Sequence, residues 1–388
     1  MKELSIYFSP IEKELWLNTE EDNTWGNKIE IHKEEFPDLS NCKIALFGVR
    51  EMRGRKEDLP IDINFDNVRN FLYSLQWYDY FPSIVDLGDI NAGKEIQDTY
   101  FALETVIETL VKQDVIPLFI GGSQDLTFAQ YKGYEKLEQL VNLVNIDHKI
   151  DIGEVNEGMH AENYLTSIIT HQPNFLFNFS NIGHQIFFNT QATLAMTEKM
   201  YFETLRLGQL NKSVHYSEPL IRNADMLSID LRSIRSSFMP SSSFPMPNGI
   251  SGREICQMAW YAGMSDKLSS IGLYEYDDSS DKEGVGAMLV AQIIWYFVEG
   301  VSQRKEDFPK TSTRKYLKYT IHLNEDEHEL IFYKSPKSDR WWVEVPYPDG
   351  KDSKYFRHLV VPCTYEDYQK ASNGEMPDIW WQTFQKLT

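Results

Sequence analysis

Two stretches decide the architecture: Val115–Asp125, VIPLFIGGSQD, and Leu140–Asp151, LVNLVNIDHKID. Each starts as a short, almost unbroken apolar run and ends in polar residues. Runs of this kind, without apolar/polar alternation, read as strands buried on both faces. Five more fit the same pattern: Lys43–Val49, Val85–Leu87, Asn174–Ile182, Met226–Asp230 and Ser269–Tyr274. Helical periodicities lie between them. In Lys94–Lys112 the apolar positions Ile96, Tyr100, Leu103, Val106, Ile107 and Leu110 follow a 3.6-residue period. Arg253–Gly263 and Gly284–Glu299 are two further helices. The alternation predicts an α/β fold: a mostly parallel sheet covered by helices on both sides, with functional residues at the carboxyl ends of the strands.

Composition sets the outer limits. The 388 residues are 42% hydrophobic and carry a formal charge of -20, enough apolar content for a large core. A field of that sign excludes nucleic acid and anionic lipid as natural partners. From Val301 onward there are 14 Lys/Arg and 14 Asp/Glu, so the acidic excess sits entirely in the first 300 residues. This neutral tail, 301–388, holds the tandem pairs Trp341-Trp342 and Trp380-Trp381 and reads as a small α+β extension. Its expected strands are Tyr316–Leu323, Leu330–Tyr333 and Arg340–Val345, with a turn at Asn324–Glu329. Tyr365–Leu387 reads as helical, broken at Gly374–Pro377. The tandem tryptophans suit a small core, or else an anchor for a protein partner. Residues 1–40 form an N-terminal extension, and 41–300 the α/β domain.

Cys42, Cys256 and Cys363 are too sparse for a disulfide framework or a metal motif. The N-terminus lacks the apolar stretch of a secretory signal, and Val285–Val298 is too short to span a bilayer. The expected setting is the cytoplasm, without membrane insertion.

Three strand ends carry clustered chemistry: Gly121-Gly122-Ser123-Gln124-Asp125, Asp147-His148-Lys149-Ile150-Asp151 and Ser228-Ile229-Asp230-Leu231-Arg232. A fourth ends in Glu275-Tyr276-Asp277-Asp278. Converging carboxylates repel one another unless a divalent cation or basic side chains neutralise them. Lys149 and Arg232 lie in the same loops, so an ion-pair network competes with a metal site as the reading.

The order of these motifs resembles the arginase, agmatinase and formimidoylglutamase (ureohydrolase) superfamily over roughly residues 41–300. That family carries Gly-Gly-Asp-His-Ser, Asp-Ala-His-x-Asp and Ser-x-Asp-x-Asp-x-x-Asp-Pro loops. Asp86-Leu87-Gly88-Asp89, Asn181-Ile182-Gly183-His184-Gln185 and Pro247-Asn248-Gly249-Ile250-Ser251 are similar to further family segments. The resemblance implies a three-layer arginase-like fold and a site for two manganese ions held by two histidines and four aspartates. Carried over by position, Asp147, Asp151 and Asp230 retain ligands. Gln124, Lys149 and Arg232 stand at the other three ligand positions, in place of two histidines and an aspartate. Glu275 matches the carboxylate that faces the substrate's guanidinium or formimino group, and His160 is a weaker substrate-side candidate.

Protonated lysine and arginine cannot ligate a metal. They can satisfy the surviving aspartates by charge-assisted hydrogen bonds instead. Lys149 and Arg232 are therefore expected in the space of the two ions, with no cofactor bound, and Glu275 is expected to pair with Arg232 or Arg235. Ser123, His148 and His160 form no recognisable triad. The expected function is that of a catalytically inactive relative acting as scaffold or binding partner, with a protein partner or an oligomer compatible with this reading. The first alternative is a metal-dependent amidino or formimino hydrolase with Mn2+ in a rebuilt site, for instance one using Asp125, His148, Asp151 and Asp230. The second is a small-molecule sensor that keeps the pocket without the chemistry.

Overall fold

A computed structural model describes residues 4–11, 23–56, 63–154, 156, 158–240, 244–309, 313–323, 328–347 and 353–387. Its centre is a nine-stranded sheet. The strands are β1 (Glu30–Ile31), β2 (Ile44–Arg50), β3 (Ile84–Asn91), β4 (Ile116–Ile120), β5 (Val141–Ile146), β6 (Leu176–His184), β7 (Glu203–Arg206), β8 (Met226–Asp230) and β9 (Ser270–Tyr274). They lie in the order β1-β3-β2-β4-β9-β8-β5-β6-β7, and every pairing is parallel.

The unbroken apolar runs have the expected cause. Along β2, Ile44 and Leu46 pack into one core layer, while Ala45, Phe47 and Val49 pack into the other. The first layer is closed by the helices Asp66–Ser74, Gly252–Met264 and Val285–Ser302. The second is closed by Ile96–Lys112, Leu126–Lys132 and Tyr164–Thr170. Val285–Ser302 is apolar and long enough to cross a membrane, but 61% of it is buried, which makes it a core helix. Two strands escape the sequence pattern. β1 has only two residues and lies within the stretch expected as an extension, and β7 is a short edge strand with every second residue exposed.

The chain order of the strands is not their spatial order. After β4 the chain jumps past two positions to β5, runs outward through β6 and β7, and returns to insert β8 and β9 between β5 and β4. The four strands that end in chemistry-bearing residues thus become neighbours, β4-β9-β8-β5. Their carboxyl ends open on one crevice at a switch in connection direction, where ligand sites of open α/β sheets form.

The tail folds into a second, antiparallel sheet of β10 (Leu317–Leu323), β11 (His328–Lys334), β12 (Trp341–Glu344) and β13 (Val360–Cys363). The helices Tyr365–Ser372 and Asp378–Leu387 follow, separated at the Gly374–Pro377 break. The turn expected at Asn324–Glu329 lies mostly outside the described residues. Trp341 and Trp342 point to opposite faces, as neighbours in a strand must. Trp341 stacks on Tyr368 within the small core, and Trp342 is buried under the Arg222 guanidinium, 4.6 Å from its ring centre. Trp380 is buried and Trp381 is 49% exposed.

This module docks at the end of the large sheet opposite the crevice, through a buried polar junction. Asp225, just before β8, accepts from the Asn142 backbone at 2.9 Å and from Arg357 at 2.7 Å, and lies 3.5 Å from the Lys267 ammonium. Arg222 donates to the carbonyls of Trp341 and Cys363. Burial pushes the Lys267 ammonium down to about 8, against the pull of Asp225. Removing one member of a buried pair leaves the other uncompensated, at a cost of about 3–5 kcal/mol. Asp225→Ala should therefore destabilise the protein by about 3 kcal/mol or more, read in a denaturant titration beside wild type. A change below about 1 kcal/mol would show that the junction does not hold the module in place.

Candidate metal centre and active-site crevice

Each site residue is delivered by a strand end. β4 runs into Gly121-Gly122, which carries the chain sharply against the neighbouring strand. A Cβ on Gly122 would lie 1.7 Å from the Glu51 carbonyl oxygen, so this loop requires glycine. The turn places Gln124, fully buried, beneath β5. Its amide Nε2 donates to Asn145 Oδ1 at 3.0 Å and to Asp147 Oδ2 at 3.1 Å. Asp147, at the end of β5, also accepts from Asn145 Nδ2 at 3.2 Å and from the Lys149 backbone N–H at 2.9 Å. The His148 ring nitrogen Nδ1 lies 3.0 Å from Asp147 Oδ1. Phe188 and Phe244 pack around that ring at 5.1 Å. Asp230, ending β8, accepts the Arg232 backbone N–H at 2.7 Å.

One ligand atom each from Asp147, His148 and Asp230 lies within 4.8 Å of the others, and all three residues are buried. Beside them Asp151 Oδ2 and Gln124 Oε1 are buried and, among the described residues, have no hydrogen-bond partner. A buried polar atom without a partner costs free energy unless something absent from the protein chain satisfies it. These donors, carboxylates with an imidazole and an amide oxygen, suit a divalent cation such as Mn2+ or Zn2+.

The electrostatics agree with that chemistry. Burial raises every carboxyl here, and its neighbours set the outcome. Asp147 is pulled down to about 2 because His148, Arg232 and the Lys149 N–H outweigh its burial. Asp151 is pushed well above the usual range, by burial and then by the charge of Asp147. Asp230 is raised to about 6 by burial, despite Arg232. Asp125 also rises to about 6, mainly through burial, and accepts a hydrogen bond from the Tyr100 hydroxyl.

Two expectations require correction. Lys149 does not fill the space of an ion. Its backbone binds Asp147, but its ammonium turns to the rim and pairs with Glu162 at 2.8 Å, where both side chains are about one-third exposed. An aliphatic stem with a strongly hydrated head reaches water when it can. Arg232 alone remains with the carboxylates, its Nε 3.0 Å and its NH2 2.8 Å from Asp230 Oδ2. The second correction concerns Glu275. Its main partner is Arg55, whose Nε lies 2.6 Å from Oε2, while Arg232 stands 3.8 Å away. Glu275 Oε1 accepts the Gln124 backbone N–H at 2.9 Å. Glu275 also holds a left-handed backbone, φ +66°, a strained state for a non-glycine residue. Arg55 was absent from the candidates. Its only sequence signal was its place in a Gly-Arg pair within a basic loop. His148, weighed only as part of a rebuilt site, belongs to the centre. His160 does not reach it and lines a rim cavity instead.

That cavity, about 470 Å3, is bounded by the loop after β5 and by Lys56, Lys149, His160, Asn189 and Thr190. A larger apolar groove, about 950 Å3, runs between the helices Gly252–Met264 and Val285–Ser302 and shares no residue with the centre.

With this geometry in hand, comparison with known proteins is decisive for the family. A profile of the arginase family matches residues 45–299. The chain belongs to the arginase family. It is similar to the formimidoylglutamase of Geobacillus sp. WCH70, 23% identical over 61% of this chain and 74% of that protein. It is also similar to the Aeromonas hydrophila formimidoylglutamase, 21% identical over 75% and 99%. Among solved structures, a Trypanosoma cruzi formiminoglutamase with Mn2+ superposes with a TM-score of 0.66 at 19% identity, covering 74% of this chain and all of that one. The formimidoylglutamase of Bacillus subtilis gives 0.66 at 15% identity, over 76% and 97%. These structures show the shared fold.

The relatives overturn the expectation of an inactive scaffold, because those this arginase-family chain resembles are named as enzymes, formimidoylglutamases. The expectation that no cofactor belongs here finds no support: the Trypanosoma cruzi neighbour was solved with Mn2+.

Replacing each basic residue should separate their roles. Lys149→Met should change stability by less than about 1 kcal/mol, as an exposed pair does. Arg232→Met should cost about 3–5 kcal/mol, because it strips a buried carboxylate of its cation. Equal losses in parallel denaturant titrations would put Lys149 back inside the centre.

Proposed function

We propose that this arginase-family chain is a metal-dependent hydrolase that cleaves the C–N bond of a formimino or amidino group on a small amino-acid substrate, with N-formimino-L-glutamate as the leading candidate. The overall change is addition of water to the substituted amidine, with release of formamide and the free amine, here glutamate. The observation that carries this reading is the convergence of Asp147, His148 and Asp230 within 4.8 Å at the carboxyl ends of adjacent strands.

The cluster fits one divalent cation. When bound, such an ion supplies Lewis acidity toward the reacting water and the polarised carbon. The remaining roles belong to side chains. Gln124 and Asn145 orient Asp147 by donating to Oδ2, and the Lys149 backbone fixes Oδ1. Arg55 and the Gln124 N–H hold Glu275 in its strained conformation toward the same centre. At the rim, the ammonium groups of Lys56 and Lys149, with Asn189 and Thr190, line a cavity of a size suited to a small ligand. The same lining holds Glu154 and Glu162, the latter paired with Lys149, so it offers both signs of charge, as a zwitterionic amino-acid substrate requires.

The test is formamide release from N-formimino-L-glutamate by the purified full chain. Activity should vanish on chelation and return with Mn2+. Asp230→Ala should lower kcat by about 100-fold or more, the scale of losing several kcal/mol of metal-derived stabilisation. Turnover that is undiminished after exhaustive chelation would overturn the metal-dependent reading.

A further inference from the structure

We infer that this chain holds a single divalent cation where the family site, by the resemblance set out above, takes a pair, and that the Arg232 guanidinium is the built-in replacement for the other. The inference rests on the hydrolase reading and narrows its metal requirement.

Three observations carry it. First, the two flanks of the carboxylate group differ. On the Asp230 flank Arg232 engages both oxygens, with Nε 3.2 Å from Oδ1 and 3.0 Å from Oδ2, and it also approaches Glu275. Among the described residues, both oxygens of Asp230 have a partner. On the Asp147 flank the opposite holds: Asp151 Oδ2 and Gln124 Oε1 are buried without a hydrogen-bond partner among the described residues, while His148 Nδ1 lies 3.0 Å from Asp147 Oδ1. Oxygens able to ligate a metal, from Asp151 and Gln124, are thus left over beside Asp147, with which Arg232 makes no hydrogen bond among the described residues.

Second, the charges close. Arg55 neutralises Glu275 at 2.6 Å, and Lys149 has left for Glu162 at 2.8 Å. Asp125 accepts from the neutral Tyr100 hydroxyl and has Glu275 as its charged neighbour, so it belongs to the Arg55–Glu275 side of the crevice. Among the described residues, the centre itself sets Asp147, Asp151 and Asp230 against Arg232. One divalent ion brings that group to neutrality. A second would leave it doubly positive in a buried site, with a fixed guanidinium at close range.

Third, Arg232 cannot simply leave. Its backbone N–H binds Asp230 Oδ1 at 2.7 Å in a tight turn at the end of β8, so its side chain starts two residues from the carboxylate it pairs with. A planar fork so tethered is a permanent cation rather than an exchangeable one.

The experiment is metal content and electron paramagnetic resonance of the full chain, loaded with Mn2+ and desalted. Wild type should retain one ion per chain and show the six-line spectrum of isolated Mn(II). Arg232→Asp should retain two ions and show an exchange-coupled spectrum. Because an added buried carboxylate can impair folding, Arg232→Asn serves as a second variant, expected to bind a second ion at least tenfold more tightly than wild type. His148→Ala should weaken retention of the single ion at least tenfold. Two ions in wild type, or no gain of a second ion in either Arg232 variant, overturn the inference while leaving the hydrolase reading intact. A wild type that retains no ion overturns both.

Discussion

The constraint that organises this molecule is electrostatic: buried carboxylates meet at the carboxyl ends of neighbouring parallel strands and cannot all stay charged without cations. Burial is the leading cause of the upward displacement of Asp125, Asp151 and Asp230, whereas His148 and Arg232 hold Asp147 down. The fold meets this demand unevenly. Arg55 and Arg232 are committed to Glu275 and Asp230, whereas the Asp147–Asp151 side keeps unpartnered oxygens. Unpartnered buried polar atoms occur elsewhere in the interior too, but those of Asp151 and Gln124 stand beside converging carboxylates and an imidazole, donors that suit a divalent cation.

Topology creates that demand. Strand order β4-β9-β8-β5 brings together loops separated by up to 151 residues, as between Gln124 and Glu275. Had β8 and β9 been added at the outer edge, the same motifs would lie on opposite sides of the sheet. The parallel arrangement also points every strand's carboxyl end the same way, so one crevice receives all of the loops.

The strands were legible because a doubly covered parallel sheet leaves a plain imprint, continuous apolar runs that stop at polar clusters. β1 and β7 were not, being too short or too exposed to carry that imprint. The candidate residues were legible by position, since Asp147, Asp151, Asp230, Gln124 and Arg232 do meet. Lys149 was misjudged because its backbone is held at the centre while its long side chain is free to choose. The ammonium took the hydrated rim, and spacing along a strand end cannot reveal that choice. Arg55 was missed for a related reason. It comes from the loop after β2, 220 residues from Glu275, and nothing local to it signals a distant buried carboxylate. The strained backbone of Glu275 likewise has no sequence signature, because a glutamate there gives no sign of a left-handed turn.

The two ends of the sheet divide the work. At the amino ends the C-terminal module seals the junction: Asp225 is bound by Arg357, Lys267, Gln139 and the Asn142 backbone, so its charge is fully met within the protein. At the carboxyl ends the backbone is strained and metal-ligating oxygens of Asp151 and Gln124 lack partners among the described residues, with Glu275 in a conformation that costs about 1–3 kcal/mol. Such a site persists only if the surrounding structure over-determines it. Here that support comes from strands locked on both faces by two apolar layers and closed at their far end by an added sheet. The tail therefore contributes to the crevice without touching it, by stabilising the platform on which the unsatisfied end is displayed.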